Sequence, residues 1–422
     1  MHDFDYRDGK LYCGDVALED IARDVGTPFY CYSLPTLHRH IRAFEEPLAG
    51  VDHQTCFAMK ANSSLAILSY MAGQGLGADV VSGGELYRAL KAGIPASRVV
   101  YSGVGKTTDE IDMAIQAGIM MFNIESEQEL GVINERAGEL GERAPVSIRV
   151  NPDVDPMTHP YISTGMKKNK FGIDVEASMA QYLRARDMEN IEIVGIDCHI
   201  GSQLTDLSPF LDAVDRLKTL VEKLASHGIT LKYLDLGGGL GITYSDEEPP
   251  HPRDYCRAIT DAVGPLGLKL IFEPGRVIVG NTGVMVATVL FRKETKDKTF
   301  IVVDAGMNDL IRPALYGAYH DIRPLEAVNG ARETVDVVGP ICESGDFLAR
   351  DRELPELSRG DLIAVMSAGA YGFTMSSNYN SRTRPPEVLV DGAKYYVVLK
   401  RQSYEDLVTG EKVPAAIRNK RG

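Results

Sequence analysis

Between about residue 54 and residue 272 the chain repeats one pattern: a short β-branched, apolar run, then an amphipathic stretch long enough for a helix, then another run. The runs fall at 55–59, 78–81, 98–101, 120–124, 146–150, 193–199, 231–236 and 269–272, with helix-like segments such as 84–92, 109–117 and 209–224 between them. Parallel neighbours need a crossover that returns the chain to the same end of the sheet, so strand, helix and strand in alternation predict parallel pairing. Eight such units predict a closed (β/α)8 barrel of the TIM type rather than an open doubly wound sheet.

After about residue 284 the texture changes. Runs at 284–292, 299–303, 333–338, 361–366 and 394–399 follow one another with no helical stretch between them, which predicts an all-β domain. Ahead of the barrel, Tyr6-Arg7-Asp8-Gly9-Lys10-Leu11-Tyr12 carries the Asp-Gly turn of a hairpin and is expected to join that second domain. The expected class is therefore α/β plus all-β. The barrel is expected over 28–283, and a β-sandwich or small β-barrel over 1–27 and 284–422, with a frayed basic end at 417–422.

A chain of 422 residues with a net charge of −14 repels phosphate backbones and anionic membranes, so nucleic acid is not an expected partner. No basic, apolar leader opens the sequence and no run of 18 apolar residues follows, which points to a cytoplasmic protein with no membrane contact. The cysteines at 13, 31, 56, 198, 256 and 342 form no C-x-x-C pair and do not cluster with histidine, so neither a metal site nor a disulfide framework is expected. Five of them read as small buried hydrophobes. Cys342, in a Gly-Pro turn, reads the same way from its surroundings alone.

Catalytic groups of a barrel stand at the C-terminal ends of its strands. The first run ends at Lys60, and the sixth ends in His199-Ile200-Gly201-Ser202-Gln203. The seventh leads into Gly237-Gly238-Gly239-Leu240-Gly241, and the eighth into Glu273-Pro274-Gly275-Arg276. Singly these are weak signals: a lysine closing a strand is usually solvated, a lone histidine is usually structural, and a tight turn needs only one or two glycines. Together they place an amine, an aromatic ring, a set of bare backbone N–H groups and a carboxylate at one mouth. That set fits pyridoxal 5'-phosphate.

The motifs Phe57-Ala58-Met59-Lys60-Ala61-Asn62, Gly77-Ala78-Asp79-Val80-Val81-Ser82-Gly83-Gly84-Glu85, His199–Gln203 and Glu273–Arg276 resemble those of the fold type III, alanine-racemase-like group of pyridoxal-phosphate enzymes. Within that group Arg312-Pro313-Ala314-Leu315-Tyr316, Gly339-Pro340-Ile341-Cys342-Glu343-Ser344 and Gly369-Ala370-Tyr371-Gly372 resemble the diaminopimelate decarboxylase family, as do His159–Gly165 and Lys170-Phe171-Gly172. No position with assigned chemistry departs from the pattern.

The resemblance implies that Lys60 carries the cofactor, with Asp79, His199, Ser202, Gly238, Gly239, Glu273, Gly275, Arg276 and Tyr371 around it. His199 would stack on the ring and Glu273 would face its nitrogen. It further implies decarboxylation of meso-2,6-diaminopimelate to L-lysine and CO2, the last step of lysine biosynthesis, with Cys342 as proton donor. Arg276, Arg312, Tyr316, Glu343 and Tyr371 would bind the substrate, and the family's head-to-tail homodimer would share each site between two subunits.

Ornithine, arginine and carboxynorspermidine decarboxylases share the barrel motifs. The ornithine enzymes place Asp after the cysteine to meet a bare amine, whereas Glu343 with Arg312 and Tyr316 suits a far amine plus a carboxylate. Alanine racemases lack the Cys-Glu-Ser stretch. A catalytically dead regulatory homologue would be expected to have lost cofactor residues, and here Lys60, His199, Glu273 and Cys342 are all present.

Overall fold

The structure, a computed structural model, describes residues 2–154, 170–328 and 330–418. Contacts divide them into two compact units. One gathers Ser33–Gly283 and Ser367–Thr374, and the other gathers Phe4–Tyr32, Val284–Met366 and the chain from Met375 onward. The motif His159–Gly165 lies outside the described residues.

The first unit is a closed barrel. Its strands are His53–Ala58, Gly77–Val80, Val99–Tyr101, Met121–Ile124, Ala144–Asn151, Ile191–Asp197, Tyr233–Asp235 and Lys269–Phe272. Each pairs in parallel with the next, and the last closes on the first through Leu270↔His53, Ile271↔Gln54 and Phe272↔Thr55. The expected eight-stranded barrel is thus present. Most boundaries shift by one or two residues, and at the sixth strand the shift matters: it stops at Asp197, leaving Cys198 and His199 beyond the ladder.

Three of the turns that follow these strands end on capping hydroxyls, so their helices start at a defined place. Ser82 and Ser126 accept from the backbone N–H three residues on, and Thr107 forms a reciprocal capping box with Glu110. Helix Ser208–Ser226 buries Phe210, Ala213, Val214, Leu217, Leu220 and Leu224, a three- and four-residue spacing that lays one apolar stripe inward. Burying each such large side chain contributes about 1.5–3 kcal/mol.

The second unit is built on the long strand Gly283–Glu294. Its first half pairs antiparallel with Leu362–Val365, and its second half, past an irregularity between Val289 and Phe291, pairs with Thr299–Val303. Arg332–Val338 and Phe347–Pro355 extend the sheet on one side, while Phe29–Ser33, Glu387–Asp391 and Lys394–Leu399 extend it on the other. The N-terminal hairpin Phe4–Arg7 with Lys10–Cys13 turns through Asp8 and Gly9, both at positive φ, as a two-residue primed turn demands. Its Phe4, Leu11 and Cys13 share one core with Phe29, Val284, Val286 and Val388. Five cysteines are buried and Cys342 is exposed. No helix among the described residues is long and apolar enough to cross a membrane.

Candidate active site

Lys60 sits in the single turn Met59–Ala61 that continues the first barrel strand, and its Nζ donates to Asp79 Oδ2 at 2.9 Å. Asp79 projects from the second strand and is fully buried. Burial alone would lower the lysine pKa, but the charges of Asp79 and Glu273 outweigh it and hold the group above its ordinary value. The chain's own charges therefore keep Lys60 as an ammonium.

His199 Nδ1 accepts the Gly238 N–H at 3.2 Å, which leaves the ring proton on Nε2. Burial, then the positive charges of Lys60 and Arg149, push its pKa well below the usual value, so the imidazole is neutral.

Glu273 follows the eighth strand and is almost wholly buried. Burial first, then Asp235, Asp79 and Asp197, drive its pKa well above the carboxylate range against the pull of Lys60. Asp235 is itself pushed up to about 6 by burial, against donation from the Gly237 N–H at 2.9 Å and from Asn123 Nδ2 at 3.2 Å. Deeper in the barrel Arg149 Nη1 donates to Glu125 Oε1 at 2.6 Å, and Arg149 Nε lies 3.9 Å from Asp197 Oδ2.

The cradle expected for a phosphate is built from close backbone approaches. A Cβ on Gly238 would stand 2.2 Å from the Glu273 carbonyl oxygen. Gly239 adopts φ +122°, where a side chain is strained, and its Cβ would meet the Gly201 carbonyl at 2.7 Å. A Cβ on Gly275 would stand only 3.1 Å from the Ala58 and Ala61 methyls. Buried Arg276 donates to Ser202 Oγ at 3.0 Å and to the Tyr244 hydroxyl at 2.6 Å, with its guanidinium 4.9 Å from the Tyr371 ring centre. Tyr371, at φ +56°, donates its N–H to the Ala61 carbonyl at 2.8 Å, and Asn62 Nδ2 donates to the Gly369 carbonyl at 3.0 Å. The segment Ser367–Thr374 is thereby tied to the turn that carries Lys60.

The barrel unit thus brings together Lys60, Asp79, His199, Ser202, Gly238, Gly239, Glu273, Gly275, Arg276 and Tyr371. These residues fit pyridoxal phosphate on two counts. Glu273 Oε1 is buried with no hydrogen-bond partner among the described residues, a costly state that the N–H of a protonated pyridine ring relieves. At positions 238 and 239 a side chain would run into backbone, and at 275 into the Ala58 and Ala61 methyls, which leaves bare backbone beside a charged guanidinium, as a phosphate pocket requires.

Cys342, Glu343, Arg312 and Tyr316 belong to the β unit. Cys342 donates its N–H to Asn380 Oδ1 at 2.9 Å, and the Glu343 carboxylate accepts from the Tyr379 hydroxyl. The turn is pinned by Asp346, which accepts the Ile341 and Met307 N–H groups at 2.6 Å each. Arg312 and half-buried Tyr316 lie at the two ends of the helix Arg312–Tyr316. Asp235, Asp197, Arg149, Glu125, Tyr244 and Tyr379 were not singled out by the motifs. For three of them a signal existed: Asp235 and Asp197 close their strands and Arg149 lies within one, each a charged residue next to buried apolar neighbours.

The family model "pyridoxal-dependent decarboxylase, pyridoxal binding domain" matches residues 34–280. A diaminopimelate decarboxylase of Pseudomonas aeruginosa is 53% identical over 411 residues, covering 97% of this chain and 99% of its own. The enzyme of that name from Vibrio cholerae is 52% identical, covering 98% and 99%. Among solved structures, diaminopimelate decarboxylase from M. jannaschii in complex with L-lysine superposes with a TM-score of 0.92 at 41% identity, covering 99% of this chain and 100% of that one. The Helicobacter pylori enzyme, also complexed with L-lysine, gives 0.90 at 43% identity, covering 93% and 98%. Agreement that runs through the barrel and continues across the β unit at this identity is that of one family, and the chain belongs to the diaminopimelate decarboxylases, pyridoxal-phosphate-dependent lyases.

Proposed function

We propose that this enzyme takes meso-2,6-diaminopimelate by its D-configured end, releases CO2 there and leaves L-lysine. The observation that carries the reading is the equipment of the β unit: a buried arginine, Arg312, together with Glu343 directly after Cys342. A substrate with an amino-acid group at each end needs its far carboxylate and far ammonium gripped at once. The fixed fork of Arg312 meets a carboxylate with two parallel bonds, and Glu343 meets the ammonium. L-lysine, the product expected here, is bound in two of the similar solved structures.

Pyridoxal phosphate, when bound, supplies a protonated ring that accepts the electron pair left as the bond to the departing carboxylate breaks. Asp79, 2.9 Å from Lys60 Nζ, fixes the amine and is the base placed to take its proton. Glu273, in its acidic surroundings, holds a proton at the ring nitrogen. Neutral His199 offers an uncharged face and adds no cation that would compete with Glu273. Arg276 and Ser202, with Gly238, Gly239 and Gly275, hold the phosphate, and Tyr371 lies beside them. Tyr316 assists Arg312 at the far carboxylate. Cys342 gives its thiol proton to the carbon that CO2 has left.

The reading includes a cytoplasmic homodimer in which the barrel of one copy and the β unit of the other complete each site, as in the family the sequence resembles. Arg312→Ala tests the substrate assignment. Losing a charge-assisted contact should cost about 1.5–3 kcal/mol, roughly ten- to a hundredfold in kcat/KM for meso-diaminopimelate, with the absorbance of bound cofactor unchanged. An equal loss on L-ornithine, which has no far carboxylate, would mean that Arg312 reads something else.

A further inference from the structure

A long guanidinium side chain discriminates between substrates only if it is held in one rotamer. One partner that holds Arg312 is a histidine. Arg312 Nη1 lies 2.7 Å from His320 Nε2. A guanidinium only donates, so Nε2 accepts and carries no proton. The ring proton is then on Nδ1, which donates to the Met366 carbonyl oxygen at 2.8 Å. His320 is fully buried, and the backbone on each side of its ring is fixed. Its own carbonyl accepts from Arg352 Nη1 at 2.6 Å, and the Met366 N–H donates to the Asp321 carbonyl at 2.8 Å. The Arg352 guanidinium is in turn stacked 3.8 Å from the centre of the Tyr319 ring.

The choice of a neutral acceptor has a consequence for binding. A carboxylate in the place of His320 would orient Arg312 equally well, but it would also neutralise the guanidinium and compete with the substrate for it. An imidazole accepting through Nε2 aims the fork without itself bringing a negative charge to it. We propose that His320, as the Nδ1-protonated neutral imidazole, is a positioning residue that aims Arg312 at the far carboxylate of the substrate and so sets the preference for diamino acids that carry one. This rests on the reading of Arg312 given above.

Two near-isosteric changes separate the two nitrogens of the ring. His320→Asn puts an amide nitrogen near the Nδ1 position, keeping the bond to Met366, and leaves nothing at Nε2. His320→Gln reaches the Nε2 position with an oxygen that accepts from Arg312. Steady-state kinetics of the purified holoenzyme on meso-diaminopimelate should show KM raised about tenfold in His320→Asn, with kcat within about twofold and the bound-cofactor absorbance unaltered, and KM largely restored in His320→Gln. Because both residues act through one contact, Arg312→Ala/His320→Asn should be no worse than Arg312→Ala alone.

An unchanged KM in His320→Asn beside a large loss in Arg312→Ala overturns the positioning role alone. An Arg312→Ala enzyme with wild-type kinetics overturns the underlying reading of Arg312 as well. If the Asn and Gln variants fail alike, with kcat and melting temperature falling as KM rises, His320 is a packing residue and the proposal is wrong. Should His320→Asn not fold, His320→Phe, which fills the space without an acceptor, takes its place beside His320→Gln in the same comparison.

Discussion

Lys60 and Asp79 show how little of a site one residue determines. A lysine at a strand end is ordinarily solvated. Here a fully buried aspartate 2.9 Å away, with Glu273 beyond it, holds the ammonium and gives it a defined position. The account predicts that Lys60→Ala loses the absorbance of lysine-linked cofactor, and that borohydride reduction of the wild type followed by peptide mapping finds the label on Lys60. Label on another lysine would refute the assignment. The motif residues of the barrel were legible through their resemblance to a family, whereas the acids beneath them were not. Asp235, Asp197 and Arg149 sit in strands that read as apolar runs. Only closure of the barrel brings Asn123 on the fourth strand within 3.2 Å of Asp235 on the seventh.

At the scale of elements, the turn after the seventh barrel strand does most to shape the site, because it threads past the end of the eighth. The Glu273 N–H donates to the Gly237 carbonyl at 2.7 Å, and a Cβ on Gly238 would meet the Glu273 carbonyl at 2.2 Å. Backbone cannot yield as a flexible side chain does. Gly238→Ala should therefore displace Glu273, weaken cofactor binding at least about tenfold and cost about 1–3 kcal/mol of stability, read by cofactor titration and denaturant unfolding. Unaltered cofactor affinity would show that the close approach is not needed.

Barrel strands were legible because each is a short apolar run followed by a helix. Several strands of the β unit escaped notice, two of them for plain physical reasons. Phe347–Pro355 carries Arg350-Asp351-Arg352-Glu353 on a largely solvated stretch, and Glu387–Asp391 follows Pro385-Pro386, which reads as a break. The helix Arg312–Tyr316 spans only 5 residues, too short to show a period in a region that read as all-β.

For the whole molecule, the residues assigned to chemistry are divided between two units. Lys60 lies in the barrel unit, and Cys342 and Glu343 lie in the β unit. If two copies complete each other's sites, inactive Lys60→Ala mixed with inactive Cys342→Ala should recover part of the activity, since one hybrid site receives both intact halves. No recovery, with hybrid dimers shown to form, would place each site within a single chain.

The choice of substrate is decided by measuring CO2 released by the holoenzyme from meso-diaminopimelate, L-lysine, L-ornithine and L-arginine. Burying Arg312 and placing Glu343 after Cys342 equips the β unit for a far end that bears both a carboxylate and an ammonium. Rapid CO2 release from meso-diaminopimelate is expected, with L-lysine accumulating in equal amount, and turnover of the other three lower by roughly ten- to a hundredfold in kcat/KM, the range a charge-assisted contact confers. Faster release from L-ornithine or L-arginine than from meso-diaminopimelate would contradict it.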